Sequence, residues 1–248
     1  MRHSTTFLMS LIVASILVLM FLNLVLGSVS IPLKSVWNII CGLGDEPVTW
    51  QNIVWKSRLP QALTALVAGA GLAISGLQMQ TVFRNPLAGP SVLGISSGAS
   101  MGVAFVVLLS GSLGGVALSK LGFMGEIALS IAAVIGSLSV MALIVYVSQK
   151  VKGNVTLLII GVMIGYVANA VIGVLKFFSV EEDIRAYVIW GLGSFSRVSG
   201  NQMMLFVAIM AILIPLSFLL IKTLNLMLLG DGYARNLGDR KSTRLNSS

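Results

Sequence analysis

Six stretches without a single charged residue dictate what this chain can fold into: residues 7–27, 59–82, 92–112, 127–148, 155–175 and 203–221. A helix needs about 20 apolar residues to cross the hydrocarbon of a bilayer, and each stretch is close to that length. Inside lipid the backbone must satisfy its own polar groups, which restricts spanning segments to helices or closed barrels. Runs this long and this uniformly apolar predict helices. Only 10% of the 248 residues are charged, against about 25% in soluble domains. The expected fold is all-α, a polytopic membrane protein with about six transmembrane helices.

The net charge of +8 does not mark a nucleic-acid binder, because its basic residues are dispersed singly along the chain. Arg235, Arg240, Lys241 and Arg244 form the one basic concentration, near the end of the sequence. One cysteine, Cys41, permits no intrachain disulfide, and one histidine, His3, leaves a zinc site without ligands. Phe7 to Leu26 is longer than the about 7–15 residues of a signal-peptide core. It is read as a retained first helix, despite the small pair Gly27-Ser28.

Between the runs, Pro60 is expected in the first turn of the second helix, where its missing N–H costs nothing. Trp37, Trp50, Trp55 and Trp190 all fall in the two long connections, 28–57 and 176–202, as aromatic rings at headgroup depth do. The second connection reads as a short interfacial helix that starts at a solvated Glu181-Glu182-Asp183. Leaving out the terminal tail, basic residues divide six against seven between the two sides of the alternating topology, so charge alone sets no orientation.

Small residues recur at four-residue spacing: Ala65, Gly69 and Ala73; Gly94, Gly98 and Gly102; Ala128, Ala132 and Gly136; Gly161, Gly165 and Gly173, with Asn169 in register. Such rows let helix backbones approach closely and either pack a bundle or line a pathway. No Asp, Glu, Lys, Arg or His stands mid-span, which disfavours an ion-coupled carrier. It equally leaves no catalytic or metal constellation at membrane depth. The chain also lacks a P-loop, since GDRKSTR at 238–244 has no second glycine before its lysine. Neither an enzyme nor a resident cofactor is expected, and any ATP–Mg must act on another subunit.

Between the second and third runs, Asn85-Pro86 and Gly89-Pro90 interrupt the chain twice within six positions, beside a lone Arg84. Residues 58–100, from RLPQALTALVAGAG through FRNPLAGPSVLGISSGAS, resemble the signature region of ABC importer permeases for iron–siderophore, haem and cobalamin uptake. That signature runs Arg-Leu-Pro-Arg, a Gly/Ala-rich helix with Ser-Gly, Asn-Pro-Leu-Ala, then Leu-Gly-x-Ser-x-Gly-Ala. LLIIGVMIGYVANAV at 157–171 and WGLGSF at 190–195 are similar to later family segments. LNLMLLGDGYARNLG at 224–238 is similar to the family's cytoplasmic coupling segment.

The resemblance implies a transport subunit of the bacterial cytoplasmic membrane with a cytoplasmic N-terminus. Its implied partners are a second permease subunit, as homo- or heterodimer, ABC ATP-binding subunits, an extracytoplasmic substrate-binding protein and membrane lipid. Asn85 and Pro86 would form a rigid turn on the cytoplasmic side, and the substrate path would lie between two permease subunits. Leu228, Leu229, Gly230, Ala234, Leu237 and Gly238 would meet the ATPase, although the same stretch alone also reads as a helix lying on headgroups. Arg58 would dock the binding protein, but Gln61 replaces the family's second arginine; the alternative for Arg58 is an interface anchor.

Gly69, Gly94, Gly98, Gly102, Gly161, Gly165 and Asn169 remain packing or pathway candidates. Family members continue for about four further spans, toward about ten helices, whereas 239–248 (DRKSTRLNSS) departs from the pattern. The permease domain is therefore read as 1–238 and as truncated, with an unrelated tail. The rival readings are a self-contained channel or ion-coupled carrier, or a non-functional permease fragment.

Overall fold

Helices account for every regular element among the described residues, which are 2–112, 123–151 and 153–228 of a computed structural model. The order is α1 (Arg2–Val25), α2 (Leu33–Cys41), α3 (Val48–Ile53), a π turn (Val54–Arg58), α4 (Leu59–Phe83), α5 (Ile95–Ser112), α6 (Phe123–Ser148), α7 (Asn154–Phe177), α8 (Glu181–Leu192), a 3-10 turn (Phe195–Arg197), α9 (Gly200–Phe218) and α10 (Ile221–Leu228). Five helical segments are long and apolar enough to span a bilayer: Thr5–Val25, Val48–Phe83, Met124–Ser148, Val155–Phe177 and Gly200–Phe218. The third apolar run, 92–112, becomes the shorter α5, because residues 84–94 are spent on turns.

The outward faces are what a bilayer requires. Leu17, Val167 and Ile212 are each more than 60% exposed, a surface that water would not tolerate over so many neighbours. Polar residues on these helices bond inward to their own backbone. Ser15 donates to the Leu11 carbonyl at 2.8 Å, Ser139 to Ile135 at 2.8 Å and Thr81 to Leu77 at 2.8 Å, so these hydroxyls are satisfied without water.

The second span differs from expectation. Pro60 does not open a helix, because α3, the π turn and α4 run on continuously from Val48 to Phe83. Proline inside a helix strands the carbonyl four residues back and crowds it. Here the turn before it is widened, with the Leu59 N–H reaching Val54 O, which is how a π bulge absorbs such a defect.

The described chain forms two compact units. The first, Met1–Leu72 with Ser194–Ser217, packs Leu24 of α1, Val36 and Ile39 of α2, Val54 and Ala62 around one core. A reciprocal cap starts α9: the Ser199 N–H donates to Gln202 Oε1 at 2.8 Å, and the Gln202 N–H to Ser199 Oγ at 3.4 Å, so two otherwise orphaned donors are satisfied.

The second unit, Ala73–Gly193 with Phe218–Ser248, is built around α5. Val103, Ala104, Val107 and Leu108 of α5 are buried with Ile172 of α7 and Tyr187 of α8. The short interfacial helix expected to start at Glu181 is α8, and it is docked against α5. Asp183, expected in solvent, is 7% exposed, and its Oδ2 has no hydrogen bond among the described residues. One helical turn on, the Tyr187 phenol bonds Ser100; burial raises its pKa and that bond opposes the rise. Lys176 Nζ lies 4.8 Å from the Tyr187 ring centroid, a cation–π contact that holds the end of α7 to α8.

Candidate functional site

The break between α4 and α5 is a sequence of turns, each made by the residues that stand there. At the end of α4 the Asn85 N–H reaches back to Gln80 O at 3.1 Å and the Arg84 N–H to Thr81 O at 3.3 Å, the paired bonds of a Schellman cap. Asn85 Oδ1 accepts from the Leu87 N–H at 2.9 Å, and the Asn85 carbonyl from the Ala88 N–H at 3.1 Å. Pro86 occupies the second position of that turn, where its fixed φ fits. Gly89-Pro90 repeats the device, with the Val92 N–H on Gly89 O at 3.1 Å. Two buried side chains, Ala88 and Leu93, then tuck the connection into a core of Phe83, Val140 and Ile144.

From there α5 enters between α6 and α7 at backbone contact. A Cβ on Gly94 would stand 2.7 Å from Gly161 O, and one on Gly161 would stand 2.8 Å from Leu93 Cα. On the other side a Cβ on Gly98 would meet Gly136 O at 2.7 Å, and one on Gly102 would collide with Ala132 O. Gly165 sits against Ser97 Oγ, 3.3 Å from where its Cβ would be. The structure thus brings Gly94, Gly98, Gly102, Gly161 and Gly165 together at one three-helix crossing. Gly69 is not part of it: a Cβ there, as at Gly173, meets nothing within 4 Å. In the first unit it is Gly71, two positions along α4, that closes on a neighbour, with Met210 of α9 in the space of its Cβ.

Beside the crossing is a shallow cleft of about 230 Å³. Asn169 and Tyr166 line it from α7, and Ser91 and Ser97 from the connection and α5. It offers amide and hydroxyl groups and no charge, so it can hydrogen-bond a polar group but cannot neutralise an ion. No cluster of three or more His, Cys, Asp or Glu suited to a metal occurs among the described residues.

Two arginines behave differently from their neighbours. Both expectations for Arg58, docking or interface anchoring, ask for an exposed guanidinium, yet the residue is 5% exposed. It donates to Leu24 O at 2.7 Å, Val25 O at 2.7 Å and Val29 O, covering carbonyls that the end of α1 leaves open. Gly27 lies directly on it, since a Cβ there would stand 2.9 Å from Nη2. Arg84 donates from Nη2 to Met227 O of α10 at 2.8 Å. Leu228, the last described residue, is 60% exposed. Leu229, Gly230, Ala234, Leu237, Gly238 and the 239–248 tail lie outside the described residues.

Long apolar helices, a chain broken at Asn85-Pro86 and helices that meet at glycine contacts define an integral membrane permease fold. A sequence profile of the FecCD transport family matches residues 15–245, and the chain belongs to that family. It is 34% identical over 215 residues to the hemin transport system permease protein HmuU of Yersinia pestis, covering 86% of this chain and 60% of the relative. It is 37% identical over 191 residues to the vitamin B12 import system permease protein BtuC of Photorhabdus laumondii, covering 77% of this chain and 54% of the relative. The chain thus spans between half and two thirds of the length of these relatives. A solved structure described as an inward-facing metal-chelate type ABC transporter superposes with a TM-score of 0.72 at 25% identity, over 92% of this chain and 66% of the other.

Proposed function

We propose that this chain is the membrane-spanning permease subunit of an ATP-driven importer that carries a bulky chelate of the haem, cobalamin or iron–siderophore class across the bacterial cytoplasmic membrane. The observation that carries the reading is the broken α4–α5 connection, with its Asn85-Pro86-Leu87-Ala88 turn, inside a chain matched by the FecCD profile from 15 to 245. The uncharged Gly/Ser/Asn lining beside it suits a large ligand that must be released, since a strong ionic contact would hold it. The N-terminus and the turn at 85–88 face the cytoplasm. A second permease subunit completes the path, a binding protein delivers the chelate, and a separate subunit hydrolyses ATP–Mg.

In this scheme the stretch from Leu224 to Gly238 docks on the ATP-binding subunit. Leu229→Asp places a carboxylate in that apolar contact, at a desolvation cost of several kcal/mol. Uptake of labelled hemin and vitamin B12, measured in cells beside ATP hydrolysis in membranes, is expected to fall about tenfold or more while ATPase activity and membrane insertion persist. Wild-type uptake by that variant would remove the assignment. Uptake that survives disabling the P-loop lysine of the partner ATPase would favour an ion-coupled carrier instead.

A further inference from the structure

We propose that Arg84 is a positioning residue that fastens the α4–α5 connection to α10, so that movement of the coupling segment is passed to the broken helix. This rests on the reading of 224–238 as the coupling segment. The starting observation is a backbone one. Arg84 has φ +49 and is the only non-glycine residue with positive φ among the described residues, a conformation that places a Cβ against the following carbonyl.

The same chain shows what normally fills this place. At the end of α2, Gly42 has φ 67, its N–H donates to Ile39 O at 3.4 Å and the Leu43 N–H to Asn38 O at 2.8 Å. The end of α4 has the same two bonds with arginine in glycine's position. Backbone geometry alone selects glycine there, so the side chain supplies the reason for arginine. A strained residue held in place by its surroundings points to what its side chain does.

That side chain reaches 143 positions along the sequence to Met227 O. Met227 lies in α10, at the start of the coupling segment, so the bond ties that segment directly to the end of α4. A guanidinium suits the tie, because its charged, planar fork of donors is pre-organised for hydrogen bonding. On its other side Arg84 adjoins Asn85, whose side chain and carbonyl hold the next turn, and that turn leads through buried Leu93 to the Gly94–Gly161 backbone contact. A shift of α10 is therefore delivered to the entry of α5 and to α7 through the Arg84–Met227 contact and a chain of tight turns.

The test compares Arg84→Gly and Arg84→Lys in the permease assembled with its ATP-binding subunit. Glycine relieves the backbone and removes the tie, so the melting temperature should hold or rise. Hydrogen exchange at the α10 amides should accelerate about tenfold, and hemin or vitamin B12 taken up per ATP hydrolysed should fall at least about fivefold. Lysine keeps one donor and should lie between glycine and wild type. Wild-type exchange and transport in Arg84→Gly would overturn the proposal, and so would a lowered melting temperature with transport lost in proportion to folded protein. Leu229→Asp separates the two ideas. If it uncouples while Arg84→Gly transports normally, the tie is wrong and the coupling segment stands; if Leu229→Asp transports normally, the coupling reading itself fails.

Discussion

Gly136→Leu is expected to prevent accumulation of folded protein, with any purified remainder melting far below wild type. The Cβ alone would collide with the Gly98 carbonyl and stand 3.0 Å from the Gly102 nitrogen. Both obstacles are backbone atoms of α5, so neither can rotate away. Relief requires α5 and α6 to separate along the crossing that holds the second unit. The cost should reach or exceed the ~3 kcal/mol upper end of ordinary overpacking, since close backbone approach is what associates helices in lipid. Gly69→Leu is the matched control. It has open space around it and gains about 1 kcal/mol of helix propensity, so thermal unfolding of the detergent-solubilised chain should be unchanged or slightly raised. Equal losses for both variants would mean that glycine is needed in these helices for reasons other than the crossing.

Arg58→Ala is expected to destabilise the purified chain with no binding protein present. It leaves the carbonyls of Leu24, Val25 and Val29 without the donor they share, and each bond to a charged group is worth about 1.5–3 kcal/mol. A loss of about 3 kcal/mol is expected, read as a lower melting temperature and lower yield. Arg58→Lys should recover only part of it, because an ammonium cannot reproduce the planar fork that reaches three acceptors. Unchanged melting of Arg58→Ala with weakened binding-protein affinity would return Arg58 to the docking role implied by the resemblance.

How much of this was legible depended on which physical signal each element carries. The apolar runs were, because absence of charge over about 20 residues is decisive by itself. The α5 row was too, since glycine at every fourth position lets a membrane helix pack at backbone contact with its neighbours. The facing of the helices was not. Lipid is as apolar as leucine, so a membrane helix carries no polar side to mark its outside, and Gly69 and Gly71 look equivalent until neighbours are placed. The π turn escaped for another reason: Pro60 is equally consistent with a helix start and with a widened turn, and only the continuity of 48–59 decides. Asp183 was read as solvated from its acidic neighbours. Its position one turn before Tyr187, with Ile184 between them, put it on the inward face, and that spacing was available. Arg58 had no signal, because three carbonyl acceptors from α1 and its following loop leave no trace in side-chain sequence.

In the proposed function the chain is a conduit whose motive force comes from a separate nucleotide-hydrolysing subunit. The most direct measurement is accumulation of labelled hemin or vitamin B12 in sealed vesicles containing the purified permease, with its binding protein outside, with and without the ATP-binding subunit and ATP inside. Concentrative uptake should require both the second subunit and ATP, and should be indifferent to proton and sodium gradients. Accumulation by the permease alone, driven by either gradient, would contradict it.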